Sequence, residues 1–277
     1  MSPDEYCEQK AAQSGSSFTH SFRFLPPDRR RAITALYAFC REVDDVVDEV
    51  TDPGVARIKL GWWRTEIAAV FDGRPRHPVA LALVAPVAAF RLPQEHFQAV
   101  IDGMTMDLEQ NRYADFATLE RYCHRVAGVV GLLSAEIFGY AEESTRDYAR
   151  DLGIAFQLTN IIRDVGEDAR RGRVYLPQDE FARFGVAAED LLAHRVTPAF
   201  IALMTYQVER ARVFYARALA ALPAADRRAQ RPGLIMAAIY RALLREIERD
   251  GFRVLDRRIA LTPLAKAWIA WRTSWSY

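Results

Sequence analysis

The sequence predicts an all-α fold, a single-domain helical bundle spanning residues 1–277. Three observations predict it. Apolar residues recur at helical spacing through most of the chain. Proline, glycine and capping residues punctuate that pattern, leaving short linkers that favour one compact unit. No stretch alternates apolar and polar residues between turn signals, so no sheet is expected.

Met1 to Gln13 is polar and charged, which argues against a signal peptide, and no helix is assigned there. The first assigned helix follows Pro26 and Pro27, takes Asp28 as N-cap, and runs to about Val50. Pro53–Gly54 closes it and opens a second, which reaches Phe71 and stops at Asp72–Gly73. Further helices are expected at about 79–90, 94–111, 118–138 and 144–165. Thr197–Pro198 opens one that Pro223 stops after Leu222. Another covers 231–250 and ends at Gly251, and Thr262–Pro263 opens the last, to Trp275. Proline just inside a helix start suits that position, because its missing N–H has no partner there anyway.

Composition narrows the function classes. The chain has 277 residues, 51% apolar and 26% charged, with a formal net charge of +1. That is globular and offers no overall basic character for nucleic acid. Three scattered cysteines, Cys7, Cys40 and Cys123, show neither a disulfide framework nor zinc spacing, and suit a reducing cytoplasm. The longest apolar run, Val79–Phe90, contains Pro86 and falls short of the roughly 20 residues a bilayer span needs. A soluble cytoplasmic protein is expected.

Two segments carry chemistry. In Tyr37-Ala-Phe-Cys-Arg41-Glu-Val-Asp44-Asp45-Val-Val-Asp48, positions 37, 41, 44 and 48 fall on one helix face, with Asp45 off it. In Gln157-Leu-Thr-Asn160-Ile-Ile-Arg163-Asp164-Val-Gly-Glu167-Asp168, positions 157, 160, 164 and 168 do the same. The second stripe lies among Ile154, Phe156, Leu158, Ile161 and Ile162, so its helix should be buried. Carboxylates there are costly unless paired or metal-bound. Facing carboxylates with no His or Cys on those faces suit Mg²⁺ rather than zinc. Arg41 and Arg163 stand ready to grip phosphate oxygens. Mg²⁺ and arginine beside acid form a constellation for holding a diphosphate and helping it leave.

These residues resemble the squalene/phytoene synthase family. Asp44-Asp-Val-Val-Asp48 and Asp164-Val-Gly-Glu-Asp168 are similar to its paired aspartate motifs, and Ser16-Ser17-Phe18 to its N-terminal serine motif. Tyr122-Cys-His-Arg-Val-Ala-Gly-Val-Val-Gly131, Gly172-Arg-Val-Tyr-Leu-Pro177 and Ala238-Ile-Tyr240 through Ile247 match further signatures. The resemblance covers about residues 14–258. Within the family, Cys40-Arg-Glu-Val-Asp-Asp-Val-Val-Asp-Glu49 and Gly131-Leu-Leu-Ser-Ala-Glu-Ile-Phe-Gly-Tyr140 look most like presqualene diphosphate synthases of bacterial hopanoid pathways. Gly15 departs from relatives that carry a serine or another polar residue there.

The resemblance implies an isoprenoid-synthase-like bundle around a central cavity. It implies head-to-head joining of two farnesyl diphosphates to presqualene diphosphate. Two or three Mg²⁺ ions would be held by Asp44, Asp48, Asp164 and Asp168, with Asn160 as an extra ligand. Ser17, Arg41, Gln157, Arg163, Arg173 and Tyr240 would bind substrate. Tyr122 would handle the proton or steady the cation, with the released diphosphate an equal candidate. Phe18, Phe22 and Tyr37 would line the cavity. The loop Arg170–Tyr175 would form a basic lid.

Three rival readings stay open: phytoene synthase on geranylgeranyl diphosphate, a complete NADPH-dependent squalene synthase, and a non-catalytic assembly factor. For the main reading NADPH is not expected to be required, and downstream squalene-pathway enzymes are candidate partners. A ferritin-like di-iron bundle is disfavoured, since no Glu-x-x-His pairs occur. Trp268, Trp271 and Trp275 share a face of the last helix and suit a peripheral membrane contact, although packing onto the bundle is the preferred expectation.

Overall fold

The computed structural model describes residues 1–13, 21–22 and 25–275. Ser17 and Phe18, with the rest of the N-terminal serine motif, lie outside the described residues. Helices dominate and no strand occurs among the described residues; an isolated bridge joins Arg112 and Val174.

The helices are α1 Pro3–Gln13, α2 Pro27–Glu49, α3 Pro53–Phe71, α4 Pro78–Ala89, α5 Gln94–Glu109, α6 Phe116–Cys123 and α7 Val129–Phe138. They continue as α8 Ser144–Arg170, α9 Gln178–Phe184, α10 Ala188–Leu192, α11 Pro198–Ala221, α12 Arg231–Arg249 and α13 Pro263–Ser274. The proline-led starts form as expected. Asp52 caps α3 by accepting from the Gly54 amide at 2.7 Å, Thr197 caps α11, and Thr262 caps α13.

Four expectations are corrected. Asp28 sits inside the first turn of α2 rather than capping it, because Pro27 starts the helix a residue earlier. A helix, α1, does form at the N-terminus. Its Ser2 Oγ accepts from the Glu5 amide while Glu5 accepts from the Ser2 amide, a capping box. Lys10 then ties α1 to Glu42 and Asp45 of α2, at 3.1 and 2.8 Å. The expected helix over 118–138 is interrupted by a π-helical segment, His124–Gly128, between α6 and α7. Finally, α8 runs on past residue 165 to Arg170, and the short helices α9 and α10 follow.

The core forms two apolar clusters. One gathers α1–α5 and α7; the other gathers α6, α8, α11 and α12. Val126, in the π segment, packs against both. Helix α8 is the central element and lies against α7, α11, α12 and the π segment. Its approach is close enough to require glycine. A Cβ on Gly131 would lie 2.1 Å from the Ala149 carbonyl oxygen, and one on Gly153 would lie 2.2 Å from that of Ala127. Gly131 and Gly153 also line the cavity that forms there.

Candidate active site

The cavity lies between α2, α7, α8 and α12 and measures about 980 Å³, counting space open at its mouth. Its wall is mainly apolar, with Phe22, Leu36, Val130, Leu152 and Phe156 among its residues. Phe22 and Tyr37, two of the three expected aromatics, line this space and lie edge-on to each other at 6.5 Å. Gln157 and Asn160 bring polarity to one side.

The two aspartate motifs lie within the uninterrupted helices α2 and α8, and the loop after α8 ties them together. Arg173 donates to Asp48 at 2.7 Å and to the Val47 carbonyl at 3.0 Å, and lies 3.5 Å from Asp107. Arg171 lies 3.3 Å from Asp48. The basic loop thus spans from the second motif to the first. In Arg173→Ala the two helices lose this tie, and kcat/KM is expected to fall about a hundredfold, in line with the cost of misplacing a reacting group by about an ångström. Unchanged kinetics would count against the loop's role.

The arginines beside the motifs are paired with acid. Arg41 contacts Asp44 and Asp45, each at 2.5 Å. Arg163 grips Asp164 with two nitrogens, and Arg258 reaches Asp164 at 3.0 Å. The Tyr240 ring packs on Phe156 at 4.8 Å, and its hydroxyl is coupled to Arg163. Asp45 turns to Lys10 and Arg41, consistent with its place off the stripe.

Protonation separates these acids. Burial, assisted by Asp48, Asp45 and Asp107, outweighs Arg41 and raises Asp44 to about 7. Its side chain still keeps 37% of its accessible surface, so the crowding is that of a protein-walled mouth. Burial with Asp164 and Asp107 raises Asp168 to about 7, against Arg173. Burial also acts on Asp164, but Arg163 and Arg258 outweigh it and hold Asp164 below the ordinary value. Asp44 and Asp168 thus hold their protons up to near-neutral pH, whereas its arginines keep Asp164 ionised.

Asp107, on α5, is the member that the motif reading missed. It accepts from the Tyr175 hydroxyl at 2.6 and 2.8 Å and faces Arg173. A signal was present, since Asp107 follows Val100, Ile101 and Met104 on an otherwise buried helix side. Tyr175 stacks on Tyr113 and Tyr122, with ring centroids 5.7 and 5.4 Å apart. Tyr122 is therefore a buried member of a tyrosine cluster beside Asp107. Burial, then Asp107, Tyr175 and Tyr113, push its hydroxyl well above the ordinary value.

The donor set suits a hard cation. The Asn160 Oδ1 is buried without a hydrogen-bond partner, and burial and neighbouring acids oppose the ionisation of Asp44 and Asp168. Among the described residues no three Asp, Glu, His or Cys groups converge on one point. An ion here would share its shell with water and phosphate oxygens, which is the habit of Mg²⁺.

The family model for squalene/phytoene synthase matches residues 11–265. The chain belongs to this family. The phytoene synthase 2 of Solanum lycopersicum is 40% identical over 258 residues, covering 91% of this chain and 83% of that protein. The phytoene synthase of Arthrospira platensis is 39% identical, covering 92% and 86%. A ligand-bound dehydrosqualene synthase superposes with a TM-score of 0.88 at 28% identity, covering 99% of this chain and 97% of that one. The squalene synthase HpnC of Alicyclobacillus acidocaldarius gives 0.81 at 27% identity, covering 90% and 94%. As a squalene/phytoene synthase family member, the chain is a transferase of isoprenoid biosynthesis with the isoprenoid-synthase-like helical fold. No helix among the described residues is long and apolar enough to cross a membrane.

Proposed function

We propose that the chain, acting as one catalytic unit, joins two prenyl diphosphates head to head with Mg²⁺ as cofactor. One observation carries this reading: Arg173 links two aspartate helices beside an apolar cavity. Asp44, Asp48, Asp164, Asp168 and Asn160 would hold the ions, which would neutralise charge on the leaving diphosphate. Arg41, Arg163, Gln157 and Tyr240 would orient the phosphate oxygens, with Ser17 as a further contact. The apolar wall would exclude water while the allylic carbon leaves its diphosphate and bonds to the double bond of the second chain. Phe22 and Tyr37 would turn their ring faces to that cation, with Phe18 a further candidate from outside the described residues. A proton then departs and the cyclopropane closes. Tyr122 stays protonated at neutral pH, so it would steady the cation, and the released diphosphate would take the proton.

Chain length divides the reading in two. The 40% identity to phytoene synthases supports geranylgeranyl diphosphate and a C40 product. The motif reading gives farnesyl diphosphate and presqualene diphosphate instead, and the likeness to a dehydrosqualene synthase and to HpnC supports that C15 route. Of the two, the comparisons favour the C20 route. Purified protein given each substrate with Mg²⁺, with and without NADPH, decides between them by mass spectrometry. A C40 product from the C20 substrate alone supports phytoene synthesis; a C30 cyclopropyl diphosphate from the C15 substrate overturns it. Squalene formed only with NADPH would add the reducing step.

Mg²⁺ dependence should change with pH. Asp44 and Asp168 titrate at about 7 and must be ionised to bind a cation. Lowering the pH from 8 to 6 protonates both. The Mg²⁺ concentration for half-maximal rate is then expected to rise about tenfold for each carboxylate. A flat Mg²⁺ requirement over that range would contradict the assignment.

A further inference from the structure

Helix α13 contradicts the expectation that its tryptophans pack onto the bundle. It attaches through Ala270, which is buried, and Ile269, which is partly so. Leu264, Trp268, Trp271 and Trp275 fall on one stripe facing away, and are 84%, 59%, 52% and 78% exposed. The rings contact each other: Trp268 stacks on Trp271 at 5.1 Å, and Trp271 meets Trp275 edge-on at 6.0 Å. An exposed stripe of this kind marks a binding surface.

Two observations choose the occupant. First, tryptophan prefers the interface between headgroups and acyl chains, where its apolar body and polar N–H are both satisfied. Second, α13 carries Lys266 and Arg272 and no Asp or Glu, while Arg257 and Arg258 just before it are already paired with Asp250 and Asp164. A basic helix with an aromatic face complements an anionic lipid surface. The helix also borders the diphosphate end of the site. Arg258 bonds Asp164, and Lys266 lies within electrostatic reach of Arg163 and Arg258.

We propose that α13 docks this protein onto anionic phospholipid membranes, with Leu264, Trp268, Trp271 and Trp275 entering the headgroup region. The surface stands on the helix alone. Its use, delivering amphiphilic substrate to the adjacent mouth and taking away an apolar product, rests on the proposed function.

The test is vesicle flotation of the full chain with phosphatidylglycerol/phosphatidylcholine vesicles and with phosphatidylcholine alone. Wild type is expected to float with the anionic vesicles, less so in high salt. Its tryptophan emission should shift to the blue on binding, with Trp63 already buried and contributing little change. The variant Trp268→Ser/Trp271→Ser/Trp275→Ser should bind at least about tenfold more weakly, with unchanged circular dichroism, since these rings support no core. Its turnover on micelle-free substrate should be unchanged, which separates failure of docking from failure of the catalytic reading. Equal flotation of variant and wild type would overturn the proposal. So would a wild type that ignores vesicles, or one that forms a dimer in solution which the triple variant abolishes, since the stripe would then serve a second copy.

Discussion

Asp44→Asn and Asp168→Asn are each expected to lower turnover about a thousandfold or more while leaving a cooperative, helical protein. Under the proposed function, the loss follows from removing a ligand whose ion would stabilise the leaving diphosphate by several kcal/mol, at about 1.4 kcal/mol per tenfold. Retention of the fold follows from electrostatics. Both carboxylates are raised to about 7 in the folded protein, so ionising them opposes folding. That penalty is absent below the unfolded-state value near 4, grows with pH, and is complete above about 7. Neutral asparagine escapes it, so without Mg²⁺ the two variants should melt higher than wild type at pH 8, and the gain should shrink towards pH 5. Asp164→Asn should behave oppositely. Arg163 and Arg258 would lose the carboxylate that pairs them, and removing one partner of a buried pair is destabilising. Steady-state rates and thermal melts at pH 8 and 5 check all three. Near-normal turnover in well-folded Asp44→Asn or Asp168→Asn would remove the basis for the site.

Gly153→Val is expected to be strongly damaging although it touches no charged group. Its Cβ would meet the Ala127 carbonyl at 2.2 Å and the Gly128 Cα at 3.1 Å, and backbone cannot swing aside as a side chain can. Separating α8 from the π segment costs at least the 1–3 kcal/mol typical of overpacking, and it also narrows the cavity that Gly153 lines. Thermal melting should fall by several degrees and turnover should fall with it. Gly172→Ala is a useful contrast. Nothing lies within 4 Å of its Cβ, and only its positive φ of 77° opposes the change. A Gly153→Val protein as stable as wild type would refute the close approach of the helices.

Much of this was legible in the residues, for identifiable reasons. Helix starts were read wherever a proline followed an Asp or Thr, because local chemistry alone specifies them; Asp52, Thr197 and Thr262 show it. The two aspartate stripes were read because helical spacing converts directly into a shared face. Helix α1 was missed although its Ser2–Glu5 capping box is local, because its buried side is only Cys7 and Ala11 and shows no apolar period. The π segment was invisible because an extra residue in one turn leaves the surrounding composition unchanged. Asp107 and Tyr175 escaped because their meeting is a tertiary event, 68 residues apart along the chain. The exposure of Trp268, Trp271 and Trp275 could not be read either, because periodicity names a face but not what lies opposite it.

The most direct measurement of the central claim is the carbon number of the product formed by purified protein from one prenyl diphosphate. Both C15 and C20 substrates would be tried, with Mg²⁺ and with a chelator. The expected result is a Mg²⁺-dependent product with twice the carbon number of its substrate, absent in Asp44→Asn and Asp168→Asn. Only prenyl alcohol, or no turnover of either substrate by folded protein, would contradict it.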